Sequence, residues 1–204
     1  MKKVLSVFFV LLIFSNLFAQ KNKTVLASSW RDPETQVKMG QFSKILVVAF
    51  VKNQANRKIA EDDIIKLLKS KGVASYQYLG DGQSSLSQGE LAEKIRKDEF
   101  DGAIVMRLMN PDKELNYTPG TGTYPAEYNS FLPFFEGSSS RFNDPEYMSK
   151  HDVYAIETNL YSLKQNKLIW NGTTNSVDPK SVEKMIESIG KVLIGEMKKQ
   201  GFLY

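Results

Sequence analysis

The order of apolar segments in the first half of the chain is the feature that most constrains the fold. The run KILVVAFV at Lys44–Val51 is nearly continuous and rich in β-branched residues, which is typical of a strand buried on both faces of a sheet. An amphipathic segment, Ile59–Lys71, follows and predicts a helix. Gly72 suits the left-handed residue after its last turn. A buried strand followed directly by a helix indicates an α/β arrangement.

The alternation continues through the next forty residues. Val73–Leu79 predicts a second strand, and Ser87–Lys97 predicts a helix that opens on the capping box SQGE. Ala103–Met109 is another apolar run that predicts a strand, and Thr24–Trp30 adds a short strand ahead of all of these. Strands that alternate with helices favour helices packed on a partly parallel sheet.

The second half of the chain has a different pattern. Asp152–Leu163 and Leu168–Ser176 predict a hairpin, with Asn166 at positive φ in its turn. Asp178 as N-cap and Pro179 as first helical residue predict the start of a last helix. Its apolar residues recur every three or four positions, which is the strongest helical period in the sequence.

We therefore predict one α/β domain, α+β-like in its second half, over residues 20–204. It has a mixed sheet of five or six strands and three helices, in the order (β)βαβαβ, a long loop, then ββα. A chain of this length is within the usual size of one domain and can bury a sizeable core.

Residues 1–19 have the layout of a secretory signal peptide. Lys2 and Lys3 precede the apolar run Val4–Phe14, and Ala19 is a small residue at the expected cleavage position. The run is shorter than the ~20 residues that span a bilayer. We expect an exported protein, periplasmic or extracellular, with no transmembrane segment after cleavage. The alternative is a retained, uncleaved anchor.

Composition excludes several classes of function. The chain has no cysteine, so it can form no disulfide, thiol nucleophile, thiolate metal site or cysteine-linked lipid anchor. Its single histidine leaves almost no material for a catalytic triad or a multi-histidine metal site. The net charge is +4 and becomes smaller once Lys2 and Lys3 are removed. A surface this close to neutral gives no electrostatic reason to expect nucleic-acid binding. We expect no cofactor and no metal.

An aromatic-rich insertion at residues 110–151 separates the two halves. It holds five prolines and eight aromatic residues and shows no clear period. One interpretation is a lid or partner-binding surface that uses Tyr124, Tyr128, Phe134 and Phe135. The other is a structural flap whose rings cover the sheet, because aromatics in a long loop usually pack on their own domain.

Three polar residues stand inside predicted strands. Arg107 interrupts the third apolar run, and Glu157 and Asn159 share one face of the first hairpin strand. They form either a polar patch that binds a small anionic or polar ligand, or a structural ion pair, or the solvated face of the sheet. Convergence of the three under the aromatic insertion in a closed pocket would favour a ligand site.

Five stretches together resemble a family of exported proteins and lipoproteins of Gram-negative bacteria that has no established activity. These stretches are Ser29–Pro33, Lys44–Val48, Glu157–Leu163, Lys167–Thr173 and Asp178–Val182. More loosely, the element order is similar to the amino-terminal domain of the Tol translocation protein. Many such relatives carry a lipid-anchoring cysteine, which this chain lacks. The resemblance implies an α/β fold and a place in the cell envelope, and it implies no activity.

The sequence therefore predicts a non-catalytic cell-envelope protein that binds a partner or a ligand. An envelope protein is the partner we expect, and the oligomeric state stays open. The alternative is a small-molecule enzyme centred on Arg107, Glu157 and Asn159, and a third interpretation is a purely structural envelope component.

Overall fold

A six-stranded sheet with helices on both faces organises the structure. The computed structural model describes residues 24–36, 40–80, 86–109, 126–142, 153–177 and 179–203 of the 204-residue chain. The strands are β1 (Thr24–Arg31), β2 (Ile45–Phe50), β3 (Gly72–Ala74), β4 (Gly102–Leu108), β5 (Val153–Ser162) and β6 (Lys167–Val177). The described helices are α1 (Gln54–Leu68), α2 (Ser75–Tyr78), α3 (Gln88–Lys97), α4 (Phe131–Phe142) and α5 (Val182–Lys199), with a 3₁₀ turn at Ala126–Asn129.

The sheet is mixed, as predicted, with strand order β1-β6-β5-β4-β2-β3. β2 pairs in parallel with both β3 and β4, while β5 pairs antiparallel with β4 and with β6. β1 pairs antiparallel with β6 at one edge. The parallel part comes from the alternating first half of the chain and the antiparallel part from the hairpin. The expected fold class is confirmed.

The core has two layers, one on each face of the sheet. α1 and α5 cover one face, here called the α1/α5 face, where Ile45, Val47 and Leu193 are fully buried. α3 and α4 cover the other, the α3/α4 face, where Leu46 and Val48 are fully buried. Successive residues of a strand point to opposite faces, so β2 supplies both layers. This is why its sequence is apolar at every position.

Two local predictions are confirmed. The hydroxyl of Ser87 accepts from the backbone N–H of Glu90, and the Glu90 carboxylate accepts from the Ser87 N–H at 2.8 Å, which completes the capping box of α3. Asn166 has φ of 48° in the turn between β5 and β6. Both features depend only on neighbouring residues, so sequence pattern is enough to find them.

The predicted boundaries of α1 are wrong at both ends. The helix begins at Gln54, five residues earlier than predicted, because the Asn53 side chain accepts from the third helical N–H. At its end, Lys69 and Ser70 take the left-handed conformation assigned to Gly72. Gly72 instead begins β3, where a Cβ would lie 2.8 Å from the side chain of Ile65. The glycine is needed for close packing of strand on helix.

The predicted strand Val73–Leu79 is also wrong, because only Gly72–Ala74 is extended and Ser75–Tyr78 forms one helical turn. The Glu61 carboxylate of α1 accepts from the Ser75 hydroxyl at 2.7 Å and from the Tyr76 N–H at 3.0 Å. It thereby satisfies one orphan backbone donor in the first turn of α2, the Tyr76 N–H. A tertiary contact has overridden the local strand preference.

The last helix and the aromatic insertion differ from prediction as well. α5 begins at Val182, with the Ser181 hydroxyl as its N-cap, while Asp178 lies outside the described residues. Residues 126–142 of the insertion form the 3₁₀ turn and α4, which together with α2 gives the described chain five helices where three were expected. Residues 1–19, predicted as a signal peptide, also lie outside the described residues. Over the part of the chain that is described, no helix has the length and apolar character needed to cross a membrane.

We expect Gly172→Ala to destabilise the protein by about 2 kcal/mol, as is usual for overpacking in a core. A Cβ at Gly172 would overlap the indole ring of Trp170, which is fully buried against this position. Urea unfolding at neutral pH measures the change. Gly195→Ala on the exposed side of α5, where a Cβ meets nothing, is the control and should be neutral or slightly stabilising. Equal effects of the two changes would contradict this packing.

Candidate functional site

The three polar residues predicted from sequence converge on the α3/α4 face. Arg107 of β4 is the register partner of Glu157 of β5, and its Nε donates to Glu157 Oε2 at 2.6 Å. Asn159 lies two residues along β5 on the same face. Arg107, Glu157 and Asn159 are 5%, 3% and 0% exposed. They form a buried cluster rather than a solvated sheet face.

Asn171 of β6, which was not among the predicted site residues, completes this cluster. Its Nδ2 donates to Glu157 Oε1 at 3.0 Å and to Asn159 Oδ1 at 2.7 Å. The predicted hairpin could have indicated Asn171, because the pairing of β5 with β6 places it directly opposite Asn159. The four residues, here called the polar cluster, link β4, β5 and β6, and the two hydrogen bonds that the Glu157 carboxylate accepts are charge-assisted.

Aromatic rings from the insertion cover the polar cluster. The Arg107 guanidinium carbon lies 5.4 Å from the ring centre of Tyr128 and 5.5 Å from that of Phe134. The Tyr161 hydroxyl of β5 donates to the carbonyl of Tyr128 at 3.0 Å, which ties the 3₁₀ turn to the sheet. Cation–π contacts of this kind strengthen when water is excluded.

The described part of the insertion therefore packs on the sheet. Tyr128, Phe134 and Phe135, proposed as binding residues, are at most 4% exposed and belong to the core layer of this face. Tyr124 lies outside the described residues. Phe131, Phe134 and Phe135 are spaced as one buried helical stripe, and this period was the signal for α4. For residues 126–142, burial favours the structural flap.

The polar cluster has the chemistry of a stabilising network. Its carboxylate is paired with Arg107 and Asn171, and the rings of Tyr128 and Phe134 lie over the guanidinium. A general acid or base must reach its substrate within hydrogen-bond distance, and these rings stand in the way. Among the described residues, no group of His, Cys, Asp or Glu side chains is arranged to hold a metal ion.

We expect Arg107→Met to reduce the free energy of unfolding by about 3–5 kcal/mol, because it leaves the Glu157 carboxylate buried without its cation. The double variant Arg107→Met with Glu157→Leu should lose less than Arg107→Met alone. Lys191→Met, which breaks the exposed Lys191–Glu187 pair on α5, is the control and should cost less than about 1 kcal/mol. Chemical unfolding of all three measures these differences, and an Arg107→Met loss no larger than that of the control would contradict the assignment.

A second buried ion pair, Arg57–Glu61 on α1, was also missed. The Arg57 Nε donates to Glu61 Oε1 at 3.1 Å, and the same oxygen accepts from the Ala49 N–H of β2. The two side chains are 1% and 0% exposed. Their i,i+4 spacing on the face shared with Ala60 and Ile64 was the available signal. This pair joins α1 to β2 and, through Ser75, to α2.

Asp101, which lies in an acidic group with Asp98 and Glu99, also has a structural role. The buried Asp101 carboxylate accepts from the backbone N–H groups of Ser43 and Lys44, at 2.9 and 3.0 Å, and from the Ser43 hydroxyl at 2.6 Å. Burial alone would raise the pKa of Asp101, but these hydrogen bonds outweigh it and hold the pKa below the usual carboxyl value. Asp101 thus fixes the start of β2 beside β4.

A lowered folded-state pKa means that Asp101 stabilises the protein above its unfolded pKa of about 4, and that this contribution is lost as the pH falls through the lower, folded pKa. We expect Asp101→Asn to be less stable at neutral pH and to lose less further stability on acidification. Glu99→Gln, an exposed change in the same cluster, is the control. Urea unfolding across the acid range checks this, and parallel pH profiles for wild type and Asp101→Asn would contradict it.

An apolar cleft lies on the opposite face of the sheet. Its floor includes Ala49 and Met106, near the carboxyl ends of the parallel strands β2 and β4, and its walls are Ala60 of α1 and Met185 and Ile189 of α5. Its volume is about 160 Å³. No sequence signal located this cleft, because it arises from the placement of α5 against α1.

Gly190 lies beside the cleft, where α5 contacts α1. A Cβ at Gly190 would lie 3.3 Å from Leu67 and 3.4 Å from Ile64, so the glycine allows α5 to approach α1 closely. Asn56 and Tyr154 are the polar side chains at the cleft. Arg107 borders it too, but Glu157 holds its guanidinium on the opposite face. The cleft is therefore an apolar site with two neutral polar groups at its edge.

No protein-family model and no curated protein matches this chain. Among solved structures, a PelC dodecamer from Paraburkholderia phytofirmans is similar, with a TM-score of 0.42 and 11% sequence identity over 85% of this chain and 95% of that one. A single-residue variant of that dodecamer gives a TM-score of 0.40 and 11% identity over 85% of this chain and 96% of that one. At these scores the likeness carries no argument about function.

Proposed function

We propose that this protein is a non-catalytic cell-envelope protein, periplasmic or extracellular, that binds a neutral amphipathic ligand through the apolar cleft. The observation that carries the proposal is the cleft itself, an apolar cavity of about 160 Å³ between the sheet, α1 and α5. Its place near the carboxyl ends of parallel strands is where open α/β sheets bind ligands. Most ligand sites combine an apolar lining with a few polar groups, as this one does.

The size and chemistry of the cleft define the ligand class. An apolar cavity of about 150 Å³ is large enough for a group the size of benzene. Met185 and Ile186 of α5 are only partly buried, so apolar surface is available at the cleft without a large rearrangement. The charge of Arg107 is held away by Glu157, which leaves Asn56 and Tyr154 to meet the polar end of the ligand. A neutral lipid such as a monoacylglycerol has this chemistry.

The envelope location is supported by the sequence alone. Residues 1–19 have the signal-peptide pattern, and five stretches of the sequence resemble a family of exported proteins. An envelope is rich in lipids whose chains match an apolar cleft, so the location and the site support each other.

The enzyme alternative has weaker support. Arg107, Glu157 and Asn159 do converge beneath the aromatic residues, but they bond to one another and to Asn171, and two rings cover the guanidinium. A catalytic carboxylate needs an approach for its substrate. The apolar cleft offers such an approach on the other face, without a charged group directed into it.

The test uses benzene, whose size matches the cavity, as a neutral probe followed by ligand-observed NMR and displaced by a short-chain monoacylglycerol. We expect the wild-type protein to bind both. Ala60→Leu fills the cleft from the α1 side and should weaken probe binding by at least about ten-fold, since overpacked cavities exclude ligands.

Ala55→Leu is the matched control, because it makes the same change on an exposed position of the same helix. It should leave probe affinity within about two-fold of the wild type, as expected of a surface change. Thermal unfolding establishes that both variants fold. Equal binding by a folded Ala60→Leu protein, or no binding by the wild type, would overturn the proposal.

A further inference from the structure

The two edges of the sheet differ sharply in length and protection. At one edge, β3 has three residues and the chain turns at once into α2. At the other edge, β1 runs for eight residues, and within the described ranges no strand pairs with its outer side. An open strand edge presents unpaired N–H and C=O groups, which form a template for another chain. Only the β1 edge is long enough to be such a template.

β1 lacks most of the features that protect natural edges. Its sequence TVLASSWR contains no lysine and no proline. Its single charge, Arg31, is directed elsewhere: the guanidinium donates to the Gln200 carbonyl at 3.3 Å and lies 5.3 Å from the ring centre of Phe202. A bulge between Leu26 and Ser28 is the one protective feature, and regular pairing with β6 resumes beyond it. β1 is extended on both sides of the bulge, over Thr24–Leu26 and Ser28–Arg31, so both stretches are available for pairing on its outer side.

We propose that β1 is an association surface for a second copy of this chain, with the two β1 strands antiparallel about a two-fold axis. Identical strands in this arrangement are self-complementary, because a residue on one side of the axis meets a residue on the other side, and the same contact recurs with the two copies exchanged. The only charged residue, Arg31, stands at one end of the strand, so the two copies of Arg31 lie at opposite ends of the pair. No like charges face each other across the interface, and small uncharged residues such as Ala27 and Ser28 meet at its centre.

The proposal concerns a weak, reversible dimer. Two paired strands of this length bury less than the ~1,200 Å² that is usual for a stable interface. We therefore expect micromolar association, with the two sheets joined into one of twelve strands. α5 packs on β1, so the α5 helices of both copies lie on the same side of the joined sheet.

Sedimentation velocity of the purified full chain, over roughly two decades of concentration, tests the dimer. We expect a concentration-dependent shift from monomer to dimer for the wild type. Ser29→Lys places a charge on this exposed edge, and symmetry places it twice in one interface, so it should raise the dimer dissociation constant at least about ten-fold. Gln165→Lys, in the exposed β5–β6 turn, adds the same charge away from β1 and should leave the constant unchanged.

Cysteine cross-linking identifies the surface independently. The natural chain has no cysteine, so Ala27→Cys and Ser28→Cys each introduce a single thiol at the centre of β1. Opposed residues in antiparallel strands have Cα atoms about 4.5–5.5 Å apart, which suits a disulfide. We expect oxidation to link at least one of these variants into a dimer, with Gln165→Cys staying monomeric. A wild type that is monomeric at every concentration, or equal cross-linking of Gln165→Cys, would overturn the proposal.

Discussion

The ion pair between Arg107 and Glu157 is the interaction on which the α3/α4 face depends. It joins β4 to β5, where the parallel half of the sheet meets the antiparallel half. A slip of one residue in this pairing would turn Glu157 toward the α1/α5 face, among apolar side chains, and leave Arg107 buried alone. Because an unpaired buried charge costs several kcal/mol, the pair specifies strand register as much as it adds stability. Asn171 extends the same constraint to β6.

Burial of that pair explains why the aromatic insertion packs as it does. Tyr128 and Phe134 exclude water from the guanidinium while their ring faces offer it a favourable electrostatic environment. The Tyr161 hydroxyl then holds the 3₁₀ turn in place through the Tyr128 carbonyl. The two faces of the sheet therefore differ in kind. One is filled by a polar cluster and its aromatic cover, and the other keeps an apolar cleft of about 160 Å³ beside Gly190.

Features that depend on residues close together in the sequence could be predicted, and features that depend on distant residues could not. β2, the capping box of α3 and the turn at Asn166 are set by neighbouring residues, and periodicity or local chemistry finds them. α2 was missed because Glu61, fourteen residues before Ser75, captures its first turn. For the site, the pairing of Arg107 with Glu157 could be predicted, because alternation along each strand is enough to place the two residues on one face of neighbouring strands. The cleft was not predicted because it depends on how α1 and α5, two helices distant in sequence, approach each other, and no local pattern encodes that approach.

The brevity of β3 has a consequence for how the protein can assemble. A sheet with two long open edges can add copies at both ends, and such head-to-tail growth continues into fibres. Here the far edge is three residues long and passes directly into α2, so it offers almost no template to an incoming strand. Pairing through β1 thus consumes the one extended edge that each described domain possesses. Association of this kind ends in a closed, finite particle, and the fold limits its own polymerisation.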